Sequence, residues 1–165
     1  MAVDVFLKLT GGKLKIEGES TDAKHKGEVE IESWSMGASN GATFNSGGGG
    51  GSGKVNFQDM SLMKRYDKAS PTLMLACATG EHITTAVMVC RKAGGTQEEF
   101  LTITMTDVMV SSISTGGTGD GNSIPMDSFS LAFAKFEVAY KGQKSDGSLG
   151  GEAIAGWDLK ANEKV

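Results

Sequence analysis

The stretch Asn45–Asp59, NSGGGGGSGKVNFQD, has residues spaced almost as they are in a phosphate-binding loop. That loop follows the pattern G-x-x-x-x-G-K and then Ser or Thr, and Gly48, Gly53 and Lys54 fill its first three fixed positions. Val55 fills the fourth, where a hydroxyl is needed to hold magnesium. The residues after Lys54 alternate between apolar and polar with the period of a strand, whereas a phosphate loop must open a helix. A nucleotide-binding protein built on this loop is therefore an alternative with little support.

Other candidate sites are weaker still. His25 and His82 are the only histidines, and neither has a Cys, His or carboxylate at a recognised zinc spacing, so we predict no metal site and expect surface or turn histidines. Segment 114–123, STGGTGDGNS, resembles a glycine–aspartate calcium repeat, but a single copy cannot stack into a calcium solenoid. There is no G-x-S-x-G nucleophile elbow. We predict no catalytic residue and no cofactor, hence no enzyme.

Composition limits the class of protein. The 165 residues fit one domain, spanning 1–165, and 24 glycines with only two prolines favour an all-β fold with many turns. A net charge of -4 without a cluster of basic residues argues against nucleic acid as a partner. We expect no membrane insertion, because no apolar run approaches ~20 residues. The charged amino terminus does not resemble a signal peptide, and Cys77 and Cys90 fall in apolar stretches typical of buried thiols.

The hydrophobic pattern predicts a series of antiparallel strands. Residues 3–9 alternate so that Phe6 lies among charges on the outer face, either as a scattered apolar residue or as a candidate contact with another subunit. In residues 28–36 the phase changes near Ser33, which predicts a bulge, and Trp34 points into the core while Ser35 faces the opposite side. Residues 100–106 place threonines on one polar face.

The pattern also predicts one helix and two unusual strands. The helix is SPTLMLACATG, with Ser70 as N-cap, Pro71 in first position and Gly80 just past the end. Residues 83–91 are apolar on both faces, so we expect both to be covered. Residues 128–141 change their buried face midway, as a strand does at a barrel corner. The predicted fold class is mainly β: a closed antiparallel two-sheet β-barrel with one short α-helix on its side.

Several segments, taken together and in order, resemble one family. The resemblance runs from Met1 almost to Val165 and is carried by the segments AVDVFLKL, IESWSMG, GGGGSGKVNFQDMSLMKRYDKASPTLMLACATGEH, RKAGG, VSSISTGG, FEVAYKGQKSDG and GWDLKANEKV. The family is the haemolysin-coregulated protein family, Hcp, which supplies the tube proteins of the bacterial type VI secretion system.

The resemblance implies a structural subunit of that tube. It implies a homo-hexameric ring that stacks head to tail, contacts sheath and spike or baseplate proteins, and carries or chaperones effectors in its lumen. Such a protein is cytoplasmic before firing and is then secreted to the extracellular space or a target cell without a signal peptide. No effector domain is expected to be fused at the carboxyl end, so cargo would bind non-covalently. The alternative is a phage-like tail tube subunit.

The resemblance also implies site residues. The long glycine-rich loop, residues 37–53, is expected to reach a neighbouring ring, and its candidate stacking residues are Phe44, Asn45, Gly47, Gly48, Gly49, Gly50 and Gly51. Ser35, on the side of the strand opposite Trp34, is the candidate lumen or cargo contact, and the alternative is one more solvated strand serine. Phe6 is the candidate subunit contact.

Overall fold

We describe the chain from a computed structural model, which describes residues 2–41 and 53–165. Within these residues there are eleven strands and one helix. Their bounds are β1 Val3–Thr10, β2 Val29–Glu30, β3 Ser33–Ser35, β4 Ala38–Asn40, β5 Val55–Phe57, β6 Met60–Arg65, α1 Ala69–Thr79, β7 Ile83–Lys92, β8 Glu99–Gly116, β9 Met126–Gln143, β10 Leu149–Asp158 and β11 Glu163–Lys164. No helix in this part of the chain is long and apolar enough to cross a membrane.

Two long strands organise the main sheet. Its hydrogen-bonded order is β11-β10-β9-β8-β7-β1-β2, all antiparallel, and β6 joins β9 and β3. The first part of β9 pairs with β6 and its second part pairs with β10, so one edge of β9 changes its hydrogen-bonded partner along the strand. The buried face changes between Phe133 and Phe136, as the sequence predicts. The mainly β, antiparallel architecture with one short helix is confirmed.

Segment 29–35 connects β1, near one edge of the sheet, with β6, which branches from β9. The Ile31 N–H donates to the Val5 carbonyl of β1 at 2.9 Å, and the Glu32 N–H donates to the Met63 carbonyl of β6 at 2.8 Å. The predicted phase change near Ser33 is therefore a change of partner strand, from β1 to β6, and not a simple bulge. Closure of the sheet into a barrel stays a prediction, and this segment is where closure would occur.

The helix confirms the predicted segment but not its predicted start. α1 begins at Ala69, so Ser70 is its second residue and not the N-cap. The N-cap is Lys68, which makes no side-chain cap hydrogen bond. The preceding residue, Asp67, satisfies the helix start instead: its carboxylate accepts from the Ala69 N–H at 2.9 Å, and its own N–H donates to the Ser70 hydroxyl at 3.0 Å. Gly80 ends the helix with a φ of 66°, the left-handed conformation that glycine adopts most easily.

A buried ammonium group joins the helix to the sheet. Lys64 of β6 is 0 % exposed, and its Nζ donates to Asp127 of β9 at 2.7 Å, to Ser70 at 2.6 Å and to Asp67 at 2.8 Å. Thr115 of β8 donates to the other Asp127 oxygen at 2.7 Å. Burial would raise the pKa of Asp127, but hydrogen bonds from Lys64, Ser70 and Thr115 hold that pKa below its ordinary value.

The connection between β1 and β2 covers the outer face of the sheet. We call residues 18–28 the strap; the Gly18 N–H donates to the Gly27 carbonyl at 2.9 Å, which closes it on itself. Asp22 of the strap accepts from Arg91 of β7, an almost fully buried guanidinium. The predicted double coverage of β7 is confirmed at Val89, Cys90 and Arg91, and the strap covers the second face there.

The first prediction concerns the buried cation. Replacing Lys64 with Met leaves the Asp127 carboxylate buried without its cation, which should lower the free energy of unfolding by about 3–5 kcal/mol. Urea denaturation at one fixed protein concentration measures this, since any self-association adds to apparent stability.

Arg65 offers the matched control for Lys64. It is the next residue of the same strand, it is paired at 3.1 Å with Glu32, and both side chains are well exposed. Arg65→Met should therefore cost no more than about 1 kcal/mol. Equal losses in the two variants would contradict the role given to Lys64.

The second prediction concerns the strap in acid. The hydrogen bond from Arg91 lowers the pKa of Asp22 to about 2, below its unfolded value of about 3.9. A carboxylate with a depressed folded pKa stabilises the fold above its unfolded pKa and loses that contribution as pH falls towards the folded pKa. The stability difference between the wild type and Asp22→Asn should thus be largest above about pH 4 and should vanish near pH 2. A difference that persists to pH 2 would contradict it, and Asp59→Asn, at an exposed carboxylate, is the control.

Candidate functional site

A face of short hydroxyl side chains crosses four neighbouring strands. In one row Ser35 of β3 pairs with Ser61 of β6, Ser61 with Ser130 of β9, and Ser130 with Ser112 of β8. The adjacent row contains Ser33, Met63, Ser128 and Ser114 in the same order. We call these eight residues the serine face; none of them carries a charge.

The serine face lies opposite the core. Each of its strands also carries core residues at the alternate positions, such as Trp34, Leu62 and Phe129, which pack into the apolar cluster. Ser35 and Ser61 are exposed, and so is Met63 at 43 %. The hydroxyls therefore form an accessible, neutral surface backed by a rigid interior.

A bulge in β8 concentrates hydroxyls at one point of this face. The register of β8 shifts between Val110 and Ser112, so that Ser111 is an additional residue opposite Ser130. The Ser130 hydroxyl lies 2.7 Å from that of Ser111 and 2.5 Å from that of Ser112. Hydroxyls both donate and accept, so such a surface can bind water or varied polar groups of a protein without selecting one charge.

Strands β4 and β5 form a two-stranded stem at the two ends of the glycine-rich segment. β4 and β5 pair in the register Ala38–Phe57 to Asn40–Val55. The Phe57 ring packs edge-on to Phe136 of β9 at 5.0 Å, which attaches the stem to the sheet. Gly53 lies so close to Gly41 that an added Cβ on Gly53 would be 2.8 Å from the Gly41 carbonyl oxygen, so glycine is needed at position 53.

The stem is not the structure that a phosphate-binding loop requires after its lysine, within the described residues. Lys54 is followed at once by strand β5, not by a helix, so no helix N-terminus is available to bind phosphate. The alternation after Lys54 therefore predicts the local structure correctly. The stacking residues Phe44, Asn45 and Gly47, Gly48, Gly49, Gly50 and Gly51 lie outside the described residues.

Comparison with known proteins agrees on one family. A family model described as "Type VI secretion system effector, Hcp" matches residues 6–140. The chain is 44 % identical over 164 residues to Protein hcp1 of Pseudomonas aeruginosa, with 98 % of each chain covered. A solved structure described as a type six secretion system protein matches with a TM-score of 0.91 and 31 % identity, over 99 % of this chain and 100 % of that one. Hcp1 from Salmonella typhimurium matches with a TM-score of 0.80 and 36 % identity over the whole of both chains.

The chain belongs to the Hcp family. It is a tube subunit of type VI secretion, and the family is one of secreted, structural proteins. A weaker likeness, with a TM-score of 0.54 and 9 % identity over 82 % of this chain and 87 % of that one, connects it to the tube-terminating cap of the anti-feeding prophage. At that identity the likeness shows the fold alone.

One site residue predicted for this Hcp-family chain is corrected by the structure. Phe6 is only 4 % exposed, so the prediction of an exposed aromatic on the outer face is wrong. The strap covers it, because the His25 ring stacks on the Phe6 ring at 4.4 Å. A side chain covered in this way by its own chain offers no surface to a neighbouring subunit.

The histidines and cysteines also differ from a simple surface-or-core division. His82 is exposed as predicted, whereas His25 lies in a turn but is only 6 % exposed. Cys90 is buried, and burial raises the pKa of its thiol; Cys77 is half-buried, and both thiols are free. Across residues 2–41 and 53–165 no three His, Cys, Asp or Glu side chains are arranged to hold a metal ion.

Sequence reasoning found one member of the serine face and missed the rest. The signal was available as serines at every second position of SWS, DSFSL and SIS. What the sequence does not contain is the pairing that brings β3, β6, β9 and β8 side by side. The extra hydroxyl of Ser111 depends on the bulge and could not be placed from alternation alone.

Proposed function

We propose that this tube subunit assembles as a hexameric ring, that rings stack into a tube, and that the serine face lines the lumen as the cargo surface. Family membership supports the tube, and the observation that carries the cargo role is the uncharged hydroxyl surface across β3, β6, β9 and β8. The subunit acts as a structural protein and not as a catalyst.

A neutral lumen wall suits a protein that must hold cargo and then release it. Charged side chains would bind oppositely charged cargo strongly and repel the rest, whereas hydroxyls offer weak hydrogen bonds that water can replace. Six copies would repeat these weak contacts around one cargo molecule, which raises the overall affinity without any strong single contact. Within this face Ser35 remains the proposed cargo contact, because it is exposed at the end of the serine row.

The glycine-rich segment is proposed as the stacking contact between rings. Its stem, strands β4 and β5, is anchored on β9 through Phe57 and Phe136, so the described residues at the two ends of the segment have a defined place. Five consecutive glycines permit many backbone conformations, which suits a contact formed mainly by backbone groups. Phe44 and Asn45 are the proposed side-chain contributors.

Delivery and partners follow from the family. We infer that the subunit waits in the cytoplasm and is secreted with the tube, in contact with sheath, spike or baseplate and effector proteins. A phage-like tail tube subunit is the second candidate, with the same kind of fold. Neighbouring genes for a type VI sheath or for phage capsid proteins distinguish the two.

The third prediction tests the ring and its stacking together. Light scattering of the purified chain should give a mass of about six times 17.2 kDa, and negative-stain images should show rings with an open centre. Deleting Gly47–Gly51 should preserve that mass, because the stem and core are untouched, and should shorten or abolish stacks of rings.

The control for this deletion replaces the same five glycines with serines, which keeps the length of the segment. A strictly monomeric wild type at high concentration would contradict the ring. Rings of unchanged stacking in the deletion variant would contradict the stacking role alone.

The fourth prediction tests the lumen face. Ser35→Gln puts a larger amide at the end of the serine row, and an exposed strand position should tolerate it without loss of the ring. Effectors that co-purify with the rings should be retained roughly fivefold less, the factor that corresponds to about 1 kcal/mol. The measurement is a pull-down from rings whose mass has first been verified.

Ser145→Gln is the matched control, because Ser145 is exposed in the turn between β9 and β10, away from the serine face. It should retain effectors as the wild type does. Normal retention by stable Ser35→Gln rings would contradict the cargo role of Ser35.

A further inference from the structure

The imidazole ring of His25 is held on both sides by carboxylates. Its Nδ1 lies 2.7 Å from a Glu28 oxygen, and its Nε2 lies 2.8 Å from a Glu99 oxygen at the start of β8. Both distances are those of charge-assisted hydrogen bonds. His25 is only 6 % exposed, so water cannot readily replace either partner.

The geometry determines how many protons the ring must carry. An ionised carboxylate only accepts hydrogen bonds, and a neutral imidazole has a single N–H to donate. Two carboxylate contacts on one ring are therefore both hydrogen bonds only when the ring is an imidazolium with both nitrogens protonated. If one proton leaves, a nitrogen lone pair faces a carboxylate oxygen, which is repulsive.

The two carboxylates are not equally able to be released. The Glu28 side chain is 13 % exposed, whereas the Glu99 side chain is 43 % exposed. A Glu99 carboxylate that loses its donor can turn to water, and Glu28 cannot do so as easily. The contact between the strap and β8 is therefore the weaker of the two.

Other charged groups near the ring lie on the sheet and in the strap itself. Arg91 of β7 has its guanidinium carbon 4.9 Å from the centre of the Phe6 ring on which His25 stacks. Arg91 is bonded to Asp22 of the strap and lies 3.5 Å from Asp4 of β1. The Asp22 carboxylate also accepts from the backbone N–H of His25 at 3.2 Å. The strap thus has two attachments to the sheet: one through Arg91, which is lost only in acid as Asp22 is protonated, and one through His25, which depends on the ring proton.

We propose that His25 holds the strap on β8 only while its ring carries both protons. With both ring protons present, the ring ties the strap to Glu99 of β8 and covers Phe6. When one proton passes to solvent, the Glu99 contact is lost, the strap opens at His25, and Phe6 becomes accessible. This inference rests on the contacts of a single chain and does not depend on the proposed ring or cargo role.

Hydrogen–deuterium exchange on the full-length protein tests the proposal. Between about pH 6 and pH 9, exchange in the peptide covering residues 18–28 should rise roughly tenfold or more after correction for the intrinsic pH dependence, as expected for the loss of one charge-assisted hydrogen bond. Exchange in the middle of β9 should not change. Ring ¹⁵N spectra of histidine-labelled protein follow the protonation of the His25 ring through the same pH series, and its signals are identifiable because only one other histidine is present.

Variants separate the effect of the His25–Glu99 contact from general effects of pH. Glu99→Gln should remove the pH step, because an amide can donate to an unprotonated nitrogen or accept from a protonated one. That site is partly exposed, so the variant should fold. His25→Gln should show the faster exchange already at about pH 6. His82→Gln is the matched control; His82 contacts the single carboxylate of Asp107 at the surface and should leave the step unchanged.

Three results would overturn the proposal. The first is a His25 ring that stays doubly protonated to pH 9. The second is a strap whose exchange does not follow the loss of the proton. The third is a pH step that survives in Glu99→Gln or disappears in His82→Gln.

Discussion

The buried ammonium group of Lys64 is the interaction on which the architecture depends. β6, the turn before α1, the first turn of α1 and β9 meet at this group, and Thr115 adds β8 through Asp127. A buried charge is tolerated only when its hydrogen-bonding capacity is used, and here Asp127, Ser70 and Asp67 all accept from it. These acceptors lie on separate elements, so they must come together in one arrangement. The helix is thereby positioned against β8 and the core behind the serine face is completed.

Strand alternation explains how one sheet can serve both the fold and its surface. On β3, β6, β9 and β8 one phase supplies apolar side chains to the core and the other supplies hydroxyls to the serine face. A slip of one residue in any of these strands would exchange the two sets, burying serines and exposing Leu62 or Phe129. The packing of the core therefore fixes the register, and the register in turn creates the serine face. The serine face and the stability of the protein share one cause.

Coverage by the strap shows why local patterns can mislead about exposure. Alternation correctly assigns Phe6 to the face opposite Leu7, but it contains no information about what lies over that face. His25, nineteen residues later in the chain, stacks on Phe6 and joins Arg91 and Asp22 in covering it. Ser70 is a similar case: its position near a helix start predicts a cap, whereas its hydroxyl instead donates to Asp127 of β9, 57 residues further along the chain. In both cases a contact distant in sequence replaces the role that the local pattern indicates.

The sequence by itself determined the fold class, the helix and its glycine end, the change of buried face along β9, and the strand after Lys54 that excludes a phosphate loop. These features depend on periodicity and on the conformational preferences of single residues, both of which are local properties of the chain. Only the tertiary structure decided that eight residues from four strands form one serine face, that Phe6 is covered, and that His25 bridges Glu28 and Glu99. Each of these arrangements joins residues far apart in sequence, and hydrogen-bonded register and packing, not composition, bring them together.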